Sequence, residues 1–205
     1  TGKCGVALVT SGPGATNTVT GITDALLDSI PVVVISGQVA SQLIGTDAFQ
    51  ECDTVGITRH CSKHNYLVKH GDRLGDTVHE AFRIATTGRP GPVVIDIPKD
   101  IQVHDAPYRQ NESRHHGYNP TLKGDLDSIR EAVEMLAGAE RPIIYSGGGV
   151  INSGKQASQL LRELQRVTGA PVTSTLMGLG AFPYDHPDWL GMLGMHGTYE
   201  ANMAM

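Results

Sequence analysis

The residues best placed to do chemistry sit in glycine-bounded turns, and Ser11-Gly-Pro-Gly-Ala-Thr-Asn17 is the most informative of them. Pro13 fixes one φ angle, and the glycines beside it permit an otherwise strained passage into a helix beginning near Ala15. The product is a rigid wall with few side chains, suited to lie against a flat ring. It lacks the Lys-Ser/Thr ending of a phosphate-binding P-loop. Ser36-Gly37 and Ser146-Gly147 repeat the Ser-Gly pair after strand-like runs. In open parallel sheets ligands bind beyond the carboxyl ends of strands, against helix N-termini. One such turn is an ordinary βα connection; three favour a ligand face. Ser146-Gly-Gly-Gly-Val150 could cradle the phosphates or ribose of a dinucleotide, although it is not G-x-G-x-x-G. Leu176-Met-Gly-Leu-Gly180 and Leu193-Gly-Met-His-Gly197 place soft Met side chains between glycines, which suits a flat aromatic ligand and a flexible core edge equally.

Other chemistries do not close. His60 and His64 have helical spacing and His115-His116 are adjacent, but neither pair has a carboxylate in the H-E-x-x-H manner, so no metal site is expected. There is no G-x-S-x-G nucleophile turn. Cys4, Cys52 and Cys61 are odd in number and fit no C-x-x-C pattern, so they read as buried small hydrophobes in a reducing, intracellular setting. Asp96-Ile-Pro-Lys-Asp100 sets Lys99 just after a buried strand, where a cation could hold an anionic substrate or a phosphate. Residue chemistry alone stops at a ligand-binding α/β protein.

Two periodicities alternate along the chain and would position these turns. Val6–Thr10, Val32–Ile35, Val93–Ile97, Ile143–Tyr145 and Val172–Thr175 are short β-branched runs, the type found where both faces of a sheet are covered. Between them, the sets Ala15, Val19, Ile22 and Leu26; Leu74, Val78, Ala81 or Phe82, and Ala85; Leu126, Ile129, Val133 and Leu136; and Ala157, Leu160 or Leu161, Leu164 and Val167 mark apolar stripes of helices facing a sheet. The alternation predicts an α/β fold of two parallel-sheet units. No element is expected from about Lys99 to Gly124, so residues 104–121 read as a linker between units at 1–103 and 122–205. The net charge of −5 and the absence of any basic run argue against a nucleic-acid partner, and no apolar run approaches a membrane span. Thr1 opens the sequence and Ala201–Met205 closes it in mid-pattern, so it reads as an interior segment.

Ser11–Asn17, Asp24-Ala-Leu-Leu-Asp-Ser-Ile-Pro31, Ser36-Gly-Gln-Val39, Gly45-Thr-Asp-Ala-Phe-Gln-Glu51, Gly88–Asp100, Tyr145–Gly149, Ser174–Gly180 and Leu193–Thr198 together resemble the large catalytic subunits of thiamin-diphosphate-dependent acetolactate (acetohydroxyacid) synthases. The motifs run nearly end to end and in family order, closest to the bacterial valine-sensitive type. The resemblance implies the later part of a pyrimidine-binding domain, then the start of a central FAD-binding domain. The implied reaction decarboxylates pyruvate on thiamin diphosphate and joins the two-carbon unit to a second 2-keto acid, pyruvate or 2-ketobutyrate, in branched-chain amino-acid biosynthesis. The implied setting is a cytoplasmic homodimer with a small regulatory subunit.

Carried over residue by residue, Gly12 and Pro13 would border the aminopyrimidine. Phe49 and Gln50 would line the reaction site from the facing subunit, and Lys99 would stand where substrate enters. Ala40 and Ala48 would fall on the channel where the family's herbicides bind. Arg89, Gly147, Gly148, Gly149, Thr175, Leu176, Met177, Leu193, Gly194, Met195, His196 and Gly197 would contact FAD. The family's catalytic Glu would lie upstream of Thr1 and its Mg2+–diphosphate motif beyond Met205, so the segment alone is expected to be inactive. Two other readings stand beside this one: a different thiamin-diphosphate enzyme such as a glyoxylate carboligase or sulfoacetaldehyde acetyltransferase, and a non-catalytic flavin-binding fragment.

Overall fold

The computed structural model describes residues 2–107 and 118–205, which form two compact units divided between Leu122 and Lys123. His115 and His116 lie outside the described residues. The fold is α/β, and every strand pairing in both sheets is parallel.

The first unit carries β1 (Gly5–Val9), α1 (Pro13–Thr16), α2 (Val19–Leu27), β2 (Val32–Gln38), α3 (Thr54–Thr58), β3 (His64–Leu67), α4 (Leu74–Thr86), β4 (Pro92–Pro98) and α5 (Lys99–Val103). Its strand order is β1-β2-β4-β3. β2 and β4 are apolar on both sides because both sides are covered. Val33, Val93 and Ile95 pack with Ala81, Ile84 and Ala85 of α4, while Val34 and Val94 pack with Ile22 of α2. All seven residues of β4 are buried, and Ile95 alone contributes about 2–3 kcal/mol of burial. α4 forms on the stripe read from the sequence, with Asp76 in its first turn and Arg83 in its last, each of the sign that the helix dipole favours.

Several expectations are corrected here. The helix expected near Ala15 starts at Pro13 and is interrupted at Asn17–Thr18, where the Thr18 hydroxyl donates to the Ala15 carbonyl. Ser36-Gly37 is not a turn: β2 runs on to Gln38, because β4 pairs with it as far as Pro98. Lys99–Val103 is helical, and Tyr118 is held to the end of α4 by its hydroxyl on the Thr87 carbonyl and by Arg83 on its own carbonyl. His60 follows α3 and His64 opens β3, so their helical spacing is not realised. The three cysteines are free and half-buried rather than fully buried.

The second unit carries α6 (Leu126–Ala137), β5 (Ile144–Ser146), α7 (Gly148–Asn152), α8 (Lys155–Thr168), β6 (Val172–Ser174), β7 (Trp189–Met192) and α9 (Tyr199–Ala204), with strand order β5-β6-β7. Its core is small: Leu161, Val172, Ala181 and Phe182, flanked by Ile144, Val150 and Trp189. α8 stops at Gly169, whose φ of 65° only glycine adopts without strain. The stripe on α6 does not face a sheet. Leu126, Ile129 and Val133 are 74%, 50% and 59% exposed and Leu136 is half-buried, so the period read from the sequence is present but largely open among the described residues. No helix among the described residues is long and apolar enough to cross a membrane.

Candidate functional site

In the first unit, the carboxyl ends of β1, β2 and β4 open onto a cavity of about 630 Å³. Leu8, Ile35 and Ile97 give it apolar walls, and Ser11, Gln38, Lys99 and Gln102 give it polar ones. Lys99 is the first residue of α5 and exposed, so its ammonium is available to an anion. Gln102 was not singled out from the sequence; one helical turn from Lys99, it is held by donation from its Nε2 to the Ile97 carbonyl at 2.7 Å.

Beside this cavity the loop 39–53 meets the Ser-Gly-Pro-Gly turn. Gly12 has φ 58° and ψ −112°, and a Cβ there would stand 2.6 Å from the Gln50 carbonyl oxygen and 3.0 Å from the Gln50 Cα. Only a bare backbone permits that approach. The structure therefore brings Gly12, Pro13 and Gln50 together across nearly forty residues of sequence. Gln50 itself has φ 59°, a conformation a side-chain-bearing residue holds at a cost, and Phe49 beside it is 89% exposed.

The loop is pinned by polar contacts. The Glu51 carboxylate accepts from the backbone N–H groups of Gly45 and Ala48, which hold its pKa below the usual carboxylate range. Asp100 accepts from the N–H and hydroxyl of Ser41 at 2.8 and 3.1 Å, and these bonds lower its pKa too. At the root of the loop, Gln38 Nε2 donates to the Cys52 carbonyl at 2.7 Å and to Asp96 Oδ2 at 2.9 Å. Asp96 is 1% exposed, and burial pushes its pKa up to about 6 although the side chains of Gln38, Ser36 and Thr54 pull it down. Ala40 and Ala48 lie half-buried on the same loop.

Arg89 stands apart from this cluster, at the amino end of β4. Its guanidinium donates to the Ser29 hydroxyl at 2.8 Å and to the carbonyls of Leu26 and Leu27 that end α2.

In the second unit the other expected residues converge at the carboxyl ends of β5, β6 and β7. The Thr175 N–H donates to the Ser146 carbonyl at 3.0 Å, and a Cβ on Gly148 would touch the Met177 Cβ at 3.0 Å. Gly147 is thus set beside Thr175, and Gly148 is packed against Met177. The Leu193 N–H donates to the Ser174 carbonyl, joining Leu193–Gly197 to the same edge. Asn202 from α9 clasps Gly194 through both its side-chain atoms. Gly149 and Gly194 have open space where a Cβ would sit, and Leu176 and Met195 are 66% and 92% exposed. Bare backbone and soft apolar side chains line this rim, which also carries His196.

Residues 1–57 match the family described as thiamine pyrophosphate enzyme, N-terminal TPP binding domain, and residues 129–205 match the thiamine pyrophosphate enzyme central domain. The chain is 56% identical to the acetolactate synthase large subunit of Buchnera aphidicola from Schizaphis graminum and 54% identical to the acetolactate synthase isozyme 3 large subunit of Escherichia coli. It is 50% identical to the acetolactate synthase of Mycobacterium bovis. Each match covers 100% of this chain but 36%, 36% and 33% of the relative, so the chain spans about a third of the length of the curated relatives it matches. The turn that meets Gln50 and the glycine edge of the second unit thus stand within a chain that matches the N-terminal and central domains of thiamine pyrophosphate enzymes and is homologous along its whole length to acetolactate synthase large subunits.

Proposed function

We propose that this chain is part of an acetolactate synthase large subunit, which forms acetolactate from two pyruvates and acetohydroxybutyrate from pyruvate and 2-ketobutyrate. Residues 1–103 are the later part of the pyrimidine-binding domain, 104–121 a linker, and 122–205 the start of the FAD-binding domain. The contact between Gly12 and Gln50 carries this reading, because it sets a side-chain-free wall beside the cavity that holds Lys99. Thiamin diphosphate, when bound, supplies the electron sink for decarboxylation and carbon–carbon bond formation. This chain's share is positioning and exclusion. Gly12 and Pro13 offer the pyrimidine a flat wall, and the Lys99 ammonium draws in the carboxylates of both keto acids. Phe49 keeps water from the reacting carbon, and the Gln50 amide orients the acceptor.

The second unit fits a flavin. Open backbone at Gly149 and Gly194 can approach phosphates, and Leu176, Met177 and Met195 can lie against a ring. The flavin's role here is to complete the fold around the site, since the net reaction is not a redox one. Mg2+ is held outside this chain. The enzyme works in the cytoplasm as a homodimer with a small regulatory subunit.

The test is product analysis with the subunit that carries this chain, supplied with pyruvate, thiamin diphosphate, Mg2+ and FAD. Acetolactate is the expected product, and Gln50→Ala should lower its rate by about 10²-fold. No acetolactate from the unsubstituted subunit, or an unchanged rate in Gln50→Ala, would overturn the assignment or the role of Gln50 respectively.

A further inference from the structure

Gln38 and Asp96 are 6% and 1% exposed, and they face each other from the carboxyl ends of the two central strands of the first unit. The Gln38 amide serves both ends of the loop that carries Phe49 and Gln50. Its Oε1 accepts from the Val39 N–H at 2.8 Å, where the loop begins, and its Nε2 donates to the Cys52 carbonyl at 2.7 Å, where the loop ends. The second Nε2 proton goes to Asp96 Oδ2 at 2.9 Å. An ionised carboxylate can only accept, so Asp96 allows one orientation of the Gln38 amide. A flipped amide would set oxygen against oxygen at both Asp96 and Cys52, and N–H against N–H at Val39.

Stability alone does not call for an acid at this place. Asp96 is a carboxylate at 1% exposure, so the site carries a desolvation cost that an apolar pair would avoid. We infer that Asp96 and Gln38 are a positioning pair, which fixes the two ends of the loop 39–53 and so sets where Phe49 and Gln50 stand. The loop's dependence on the pair follows from the geometry alone, whereas the consequence for carboligation rests on the function proposed above.

The experiment separates loop position from stability. Gln38→Met/Asp96→Leu removes the pair without leaving an unpaired charge. In the 205-residue chain it should melt at or above the unsubstituted temperature, yet exchange the amide protons of Ser41, Gly45, Ala48 and Glu51 about tenfold faster. Gln38→Met/Asp96→Asn gives the same reading should the first variant not fold. Wild-type exchange at these four amides in a folded double variant would overturn the inference. In the parent subunit, kcat for acetolactate should fall about tenfold while KM for pyruvate stays within about twofold, since the substrate-drawing Lys99 is untouched. A fall in KM and kcat that tracks the melting temperature would make the pair merely structural. If the unsubstituted subunit forms no acetolactate, the functional reading fails, and the exchange rates still decide the role of the pair.

Discussion

The first unit spreads its core over both faces of a four-stranded sheet, whereas the second has one cluster of four buried apolar residues at a sheet whose strands have three or four residues. Both hold glycine turns at the carboxyl edge, but by different means. In the first unit the loop that meets Gly12 is anchored by side chains: Gln38, Glu51 and Asp100 each reach backbone groups of loop 39–53. In the second, backbone meets backbone where Gly178 leaves no room for a Cβ against the Ser146 carbonyl, and side chains add to this at Gly178, which donates to the Thr175 hydroxyl, and at Gly194, which Asn202 clasps. Side-chain anchors can be tuned one atom at a time; glycine contacts are all-or-none.

The sharpest way to break this comparison is Gly12→Ala. It forces a side chain into a φ of 58° and against Gln50, and should destabilise the first unit by about 3 kcal/mol, read from faster amide exchange in β4. Next comes Gly178→Ala in the second unit, where the new Cβ would stand 2.5 Å from the Ser146 carbonyl oxygen. A loss of about 2 kcal/mol should appear in the fluorescence of Trp189, the chain's single tryptophan, with β4 exchange unchanged. A shift in both signals would mean that the units do not unfold separately.

Asp96 supplies a pH test confined to the first unit. Its folded pKa of about 6 lies above the ordinary Asp value, so between those two values the folded state holds more protons than the unfolded one. Stability of the first unit should therefore decline as pH rises from about 4 to about 6 and then level off, as far as this group is concerned. Asp96→Asn should flatten that slope in denaturant titrations across the window; an unchanged slope would assign it to other groups. The smallest effect belongs to Val133→Ala on α6: at 59% exposure it should change stability by no more than about 0.5 kcal/mol. A larger loss in the same titration would show that the α6 stripe is packed in solution.

The long elements were legible because their periods are strong. The β-branched runs of β2 and β4 and the stripe of α4 need no tertiary information. β3 escaped notice because His64-Asn-Tyr-Leu67 is a short, largely polar edge strand, and β7 because Gly191 interrupts Trp189–Met192. α5 has five residues, too few to show a period. Ser36-Gly37 misled for a physical reason: glycine reads as a turn unless the neighbouring strand is known to continue alongside it. The glycine edge of the second unit could be found from composition. The approach of Gly12 to Gln50 could not, because it is made only when the loop 39–53 folds back.

The order β1-β2-β4-β3 has a consequence for how this chain acquires its shape. The strand made last in the first unit lies inside the sheet, with β2 on one side and β3 on the other. A growing chain that has reached Gly91 can pair β1 with β2, but β3 has nowhere to dock. Arrival of Pro92–Pro98 inserts the missing rung, joins partners up to sixty residues apart and closes both hydrophobic layers at once. Such late, distant closure makes assembly slow and cooperative, so a polypeptide cut short of β4 should behave as a loose strand–helix–strand precursor rather than as a smaller version of the unit.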